Sequence, residues 1–197
     1  VGEFKGGKIT ILEPKEVWRS DLPKAPTMIL DPGSGVLGDK LYMVGGKNSS
    51  GSLTSLYIYD PGDSLHTTDD QWMTGPNKLG PAVANTAVVG LQGKLYVFGG
   101  SSASFSGVVG NAAVYTPDAD PNPNIILPQW NNITPMLTPR AGSTAQVLNG
   151  DIYVIGGIAA NGASVNTVEI YDPDTKTWQV GPYANTTRQL WRCRDWQ

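Results

Sequence analysis

The chain of 197 residues has a single cysteine, Cys193, and a single histidine, His66. One cysteine excludes an intrachain disulfide, a thiolate zinc cluster and a vicinal redox pair. One histidine excludes, within one copy of the chain, any site needing two or more imidazoles, which removes most copper and zinc enzymes. Long apolar runs are also missing: the longest, Tyr153 to Ala160, covers about eight residues, where ~18 are needed to cross a bilayer. Nor is there an excess of positive charge. Fourteen basic against 17 acidic side chains leave a net charge of −3, which argues against a phosphate backbone as partner. The opening Val1-Gly2-Glu3-Phe4-Lys5 has neither an initiator methionine nor an apolar signal core, and reads as a processed or excised start.

What is abundant is turn chemistry. Glycine (24) and proline (15) make up about a fifth of the chain, below the ~25–30% of low-complexity disorder. With 40% hydrophobic residues the chain can build a core. Three blocks repeat: Leu41-Tyr42-Met43-Val44-Gly45-Gly46, Leu95-Tyr96-Val97-Phe98-Gly99-Gly100 and Ile152-Tyr153-Val154-Ile155-Gly156-Gly157. Their first glycines are 54 and then 57 residues apart. Each block follows a turn (Gly38-Asp39, Gln92-Gly93, Asn149-Gly150) and leads to an aromatic before a proline: Tyr59-Asp60-Pro61, Tyr115-Thr116-Pro117, Tyr171-Asp172-Pro173. A tryptophan comes next, at Trp72, Trp130 and Trp178, with Trp18 ahead of the first block. From Trp18, Trp72 and Trp130 to the following double glycine the intervals are 27, 27 and 26 residues.

Fixed-period self-similarity is the mark of a repeat architecture. Each unit reads as four short strands. The first is small and β-forming (Asn85 to Val89, Ser143 to Val147), as suits strands that crowd a common axis. The second is apolar at consecutive positions, so both its faces must be buried. The third ends in the aromatic-proline turn and the fourth carries the tryptophan. No helical periodicity competes, turn signals recur every 8 to 15 residues or so as in all-β proteins, and four-stranded sheets stacked radially make a propeller.

These residues resemble the Kelch repeat: a double glycine after an apolar strand, then Tyr-Asp-Pro, then Trp, then a Pro-Arg step such as Pro139-Arg140 into the next unit. The resemblance covers about residues 1–188. It implies an all-β propeller segment with blades at about 27–72, 85–130 and 142–178, a blade fragment at 1–18 in which Ile9 to Pro14 matches Val168 to Pro173, and a divergent tail at 189–197. Three full blades do not easily close a ring. The exposed blade faces are expected to be covered by missing blades of a longer chain, by self-association with a second copy, or by the two end fragments meeting.

Candidate chemistry is sparse. Gly33-Ser34-Gly35-Val36-Leu37-Gly38 matches G-x-G-x-x-G, but a dinucleotide site needs a helix after it and here a strand is expected. Trp18, Trp72, Trp130 and Trp178 sit at the repeat position and read as packing rather than as a sugar platform; Trp191 and Trp196 fall outside the pattern. Asp69-Asp70 and the Asp118 to Asn124 stretch lack the ligand spacing of a calcium loop and read as solvated loops. His66 lies in an insertion with no triad partner. No catalytic residue, metal site or cofactor is therefore expected.

What the resemblance implies is a binding module for a protein or glycan. In Kelch proteins the loops after the double glycines and those leading into strand one form one rim, which here places Lys47, Asn48, Ser101, Ser102, Arg140, Ser143, Ile158 and Asn161 as contact residues. The alternative is a fragment of a propeller enzyme, of the oxidase or lyase type, whose catalytic groups lie outside the chain. The related propeller of galactose oxidase uses two histidines, two tyrosines and a thioether-linked cysteine, a set this chain cannot reproduce. Three N-glycosylation sequons begin at Asn48, Asn132 and Asn185, where composition alone gives roughly two. With the low charge they point to an extracellular or cell-surface protein; the alternative is cytoplasmic.

Overall fold

The computed structural model describes residues 2–5, 8–11, 23–62, 71–78, 80–103, 106–117 and 130–182. Trp18, His66, Asp69, Asp70, the 118–124 stretch, Asn185, Trp191, Cys193, Trp196 and the 189–197 tail lie outside them. The first strands, β1 (Gly2–Lys5) and β2 (Lys8–Ile11), form a separate antiparallel hairpin.

Blade I is built from β3 (Gly33–Leu37) and β4 (Lys40–Val44), the short hairpin β5 (Lys47–Asn48) and β6 (Gly51–Ser52), then β7 (Leu56–Asp60) and β8 (Gln71–Gly75). Blade II contains β9 (Ala87–Leu91) and β10 (Lys94–Phe98), the hairpin β11 (Ser101–Ala103) and β12 (Ser106–Val108), then β13 (Ala112–Tyr115) and β14 (Trp130–Ile133). Blade III is β15 (Thr144–Leu148), β16 (Asp151–Ile155), β17 (Val168–Asp172) and β18 (Thr177–Val180). In each the four main strands pair in chain order as an antiparallel meander. The expected all-β propeller segment is what the chain forms, with small hairpins added after the double glycine in two of the units. Of the G-x-G-x-x-G stretch, Gly33 to Leu37 form β3, the innermost strand of blade I, and Gly38 begins the turn after it.

Alternation along the strands sorts side chains between two cores. From blade II, Val88, Leu95, Val97, Ala113, Tyr115 and Trp130 face blade I, where they meet Tyr42, Val44, Leu56 and Ile58. The intervening Ala87, Tyr96, Phe98, Ala112 and Val114 face blade III and meet Ala145, Ile152, Val154 and Tyr171. This is why β10 is apolar at consecutive positions: its sheet is the filling between two others. The tyrosine of strand three and the tryptophan of strand four lie together on the face turned toward the preceding unit, with ring centroids 5.2, 5.1 and 5.0 Å apart in Tyr59–Trp72, Tyr115–Trp130 and Tyr171–Trp178.

Each indole also crosses to the unit before it. Trp130 Nε1 donates to the Pro76 carbonyl (2.9 Å), Trp178 Nε1 to Thr134 (2.8 Å) and Trp72 Nε1 to Pro23 (3.1 Å). The repeat tryptophans described here are therefore blade-to-blade packing groups. At the hub β3 lies against β9 and β9 against β15. The residue two places before each innermost strand adopts a left-handed conformation: Asp31 (φ 51°), Asn85 (φ 56°) and Gly142 (φ 66°). Short polar side chains and glycine tolerate that region. It lets Asn85 N–H donate to the Asp31 carbonyl (2.9 Å) and Gly142 N–H to that of Asn85 (2.8 Å), a backbone chain running from blade to blade.

The double glycine has a matching reason. Gly46 N–H donates to Val83 in the lead-in of the next blade (2.9 Å), and Gly100 N–H to Arg140 (3.0 Å). A Cβ on Gly99 would stand 2.2 Å from the Arg140 carbonyl oxygen, and Gly99 has φ 62°. Close approach and a left-handed backbone both exclude a larger residue there.

At the opposite end of blade I, Lys40 pairs with Asp60 across β4 and β7 (3.1 Å). The hydrogen bond from Lys40, with a second from Gly62 N–H, holds the Asp60 carboxyl below its ordinary range. A depressed carboxylate pKa adds stability that is present above the unfolded-state value of about 3.9 and is lost as pH falls through the lower folded-state value. For this largely solvated pair that stability is about 1 kcal/mol or less. Lys40→Gln should move the Asp60 titration upward in a carbon-detected NMR pH series while leaving Asp172 in place.

Candidate functional site

The bridges Leu30↔Lys47, Ala84↔Ser101 and Ala141↔Ile158 tie the segment after each double glycine to the segment that leads into strand one of the same unit. Both therefore emerge at one end of the sheets, and all eight expected contact positions lie in these two segments. Asn48, Ser102 and Asn161 are exposed. Asn48 and Asn161 each fold their side chain back in an Asx turn, Asn48 Oδ1 accepting from Ser50 N–H (2.8 Å) and Asn161 Oδ1 from Ala163 N–H (3.0 Å). Lys47 is half-buried and pairs with Asp31 at 2.8 Å, which joins the rim to the hub. Ile158 is half-buried too, bridged to both Ala141 and Ser164.

Three of the expected contacts are corrected. Arg140 does not face solvent at the rim: its residue is 0% exposed. The guanidinium forms an ion pair with Glu169, itself 1% exposed. It further donates to the carbonyls of Thr138 (3.3 Å), Gly156 (3.2 Å) and Thr167 (2.8 Å) and to Thr167 Oγ1 (2.8 Å). Glu169 in turn accepts from the N–H groups of Leu137 (2.8 Å) and Thr138 (3.0 Å). Burial draws the Arg140 pKa down, while Glu169 acts to raise it. Every group of the pair is engaged within blade III and the lead-in to it, and none is left for a ligand. Ser101 is 1% exposed because its bridge to Ala84 turns it inward. Ser143 is half-buried with its hydroxyl out of solvent.

Sequence reasoning missed Ser52, whose hydroxyl donates to the Ser102 carbonyl (2.8 Å). That bond, with the contact of β6 on β11, fastens the hairpin of blade I to that of blade II. Neighbouring loops become one continuous surface. Among the described residues, no three His, Cys, Asp or Glu side chains are grouped to hold a metal ion. No helix among them is long and apolar enough to cross a membrane.

Comparison with known proteins agrees with this geometry. The family model described as the KLHDC2/KLHL20/DRC7 Kelch-repeats domain matches residues 34–193. Kelch-like protein 15 of Mus musculus is 31% identical over 168 residues, covering 79% of this chain and 26% of that protein. F-box/kelch-repeat protein At1g67480 of Arabidopsis thaliana is 31% identical over 118 residues, covering 60% of this chain and 29% of its own length. The chain thus spans about a quarter of the curated relatives it matches. The solved structure of YjhT superposes with a TM-score of 0.67 at 20% identity, over 83% of this chain and 54% of that one, and so shares the fold. The double glycines, the staple-forming indoles and the family match agree: the chain belongs to the Kelch-repeat family.

Proposed function

We propose that the chain is a non-catalytic protein-interaction module whose contact surface is the double-glycine rim. One observation carries this: the bond from Ser52 to Ser102 locks adjacent hairpins into a single ledge, on which Asn48 and Ser102 stand exposed. Asn161, exposed in the third unit, and Lys47 extend it. Loops of differing length on a rigid repeated scaffold are suited to recognition. The ledge offers amides and hydroxyls, which favours a polar protein surface over an apolar one. The Kelch-like and F-box/kelch-repeat relatives support the protein reading over the glycan one, and the cytoplasmic alternative over an extracellular site.

The test is cross-linking capture with the full-length protein, comparing wild type with the triple variant Asn48→Arg, Ser102→Arg, Asn161→Arg and with a control, Asp39→Arg, on the opposite rim. The expected result is a partner held by wild type and control and lost by the triple variant at unchanged melting temperature. Equal capture by all three removes the rim as the contact surface. A mass shift on peptide N-glycosidase treatment, at the exposed Asn48 or Asn132, would instead return the protein to the secretory route.

A further inference from the structure

A cleft of about 480 Å³ opens between blades II and III at the end of the sheets away from the double-glycine rim. That volume is within the ~300–1,000 Å³ of small-molecule sites. Its described lining includes two lysines, Lys94 and Lys176, and no carboxylate. The repeat explains one of these charges. Lys40, at the start of β4, is neutralised by Asp60 at the end of β7. Lys94 holds the same place at the start of β10, but the residue after Tyr115 is Thr116 where blade I has Asp60. Lys94 has no carboxylate partner among the described residues, and its charge borders the cleft.

The remaining walls are preformed. Tyr96 and Tyr171 are both buried, with ring centroids 6.1 Å apart and planes tilted by 54°, and supply an aromatic side. Burial raises the pKa of both phenols, and the charges of Asp174 at Tyr96 and of Asp172 at Tyr171 add to it, so both stay protonated at neutral pH. Thr134 Oγ1 donates to the Lys176 carbonyl (3.0 Å) and Trp178 Nε1 to that of Thr134 (2.8 Å), fixing the blade III turn against β14. The nearest acids of that turn lie outside the lining. Asp172 spends Oδ1 on the N–H groups of Asp174 (2.8 Å) and Thr175 (3.1 Å), and Asp174 is exposed.

We infer that this cleft binds a small organic anion, with a phosphate or carboxylate head held by Lys94 and Lys176 and a flat body against the Tyr96–Tyr171 wall. The site is separate from the proposed interaction rim. Phenyl phosphate, benzoate and inorganic phosphate are the probes, each titrated into the ¹⁵N-labelled protein. Phenyl phosphate or benzoate should give saturable shifts at Asn132 to Thr134 and Lys176, and whichever binds more tightly identifies the head group. The double variant Lys94→Gln, Lys176→Gln should weaken binding about tenfold or more, while Lys40→Gln should leave it unchanged. Absence of saturation by either aromatic probe up to ~10 mM, or unchanged affinity in the double variant, overturns the site. Inorganic phosphate binding as tightly as phenyl phosphate overturns the role of the tyrosine wall.

Discussion

Arg140→Met should cost about 3–5 kcal/mol of unfolding free energy, because it leaves the Glu169 carboxylate buried without its counter-charge. Glu169 is 1% exposed, and two backbone N–H groups alone would then face its charge. Three carbonyls in the lead-in and in blade III lose their donor in the same step. Urea denaturation reads the loss directly. Adding Glu169→Gln to Arg140→Met should recover part of it, since a neutral amide oxygen still accepts from Leu137 or Thr138 without a buried charge. A double variant no more stable than Arg140→Met would show that lost carbonyl partners, rather than the stranded carboxylate, set the cost. A single variant within ~1 kcal/mol of wild type would contradict the burial itself.

Trp130→Ala should be similarly damaging, at about 3–5 kcal/mol. Trp130 is 3% exposed, packs on Tyr115 at 5.1 Å and belongs to the core shared by blades I and II. Trp130→Phe separates the two roles of the indole: it keeps most of the apolar contact and removes only the donor to Pro76, for about 1 kcal/mol. Trp178, half-buried at the next junction, should lose less on truncation to alanine than Trp130. Thermal unfolding of the three variants gives the order. A Trp130→Phe loss as large as that of Trp130→Ala would place the energy in the hydrogen bond instead of the packing.

The architecture was legible in the sequence because it depends on residues that nothing else replaces. Gly45 and Gly99 each combine a left-handed backbone with a neighbour too close for a side chain, Gly156 shares the left-handed backbone, and the described repeat tryptophans each reach across to the previous unit with a side-chain N–H. Such demands recur at every junction and leave a periodic trace. The misplaced rim residues lack that trace. Val83 holds the place of Arg140 before β9, and Ala113 that of Glu169 in β13, so the ion pair occurs in blade III without a counterpart in blade II. A unique pair separated by 29 residues is invisible to repeat comparison, and an arginine after proline at a loop position reads as exposed. Ser101 was obscured for a different reason. It follows the glycine doublet as a loop residue would, and only the bridge to Ala84 turns its side chain inward.

That uneven distribution decides how blades of this chain can be transplanted. An indole staple asks only for a backbone carbonyl in its neighbour, supplied by proline at two junctions and threonine at the third, so it tolerates a foreign host. The ion pair does not, since a graft that begins at β15 carries Glu169 and leaves Arg140 behind. The smallest portable cassette for blade III therefore starts at Leu137, four residues before the Ala141 bridge.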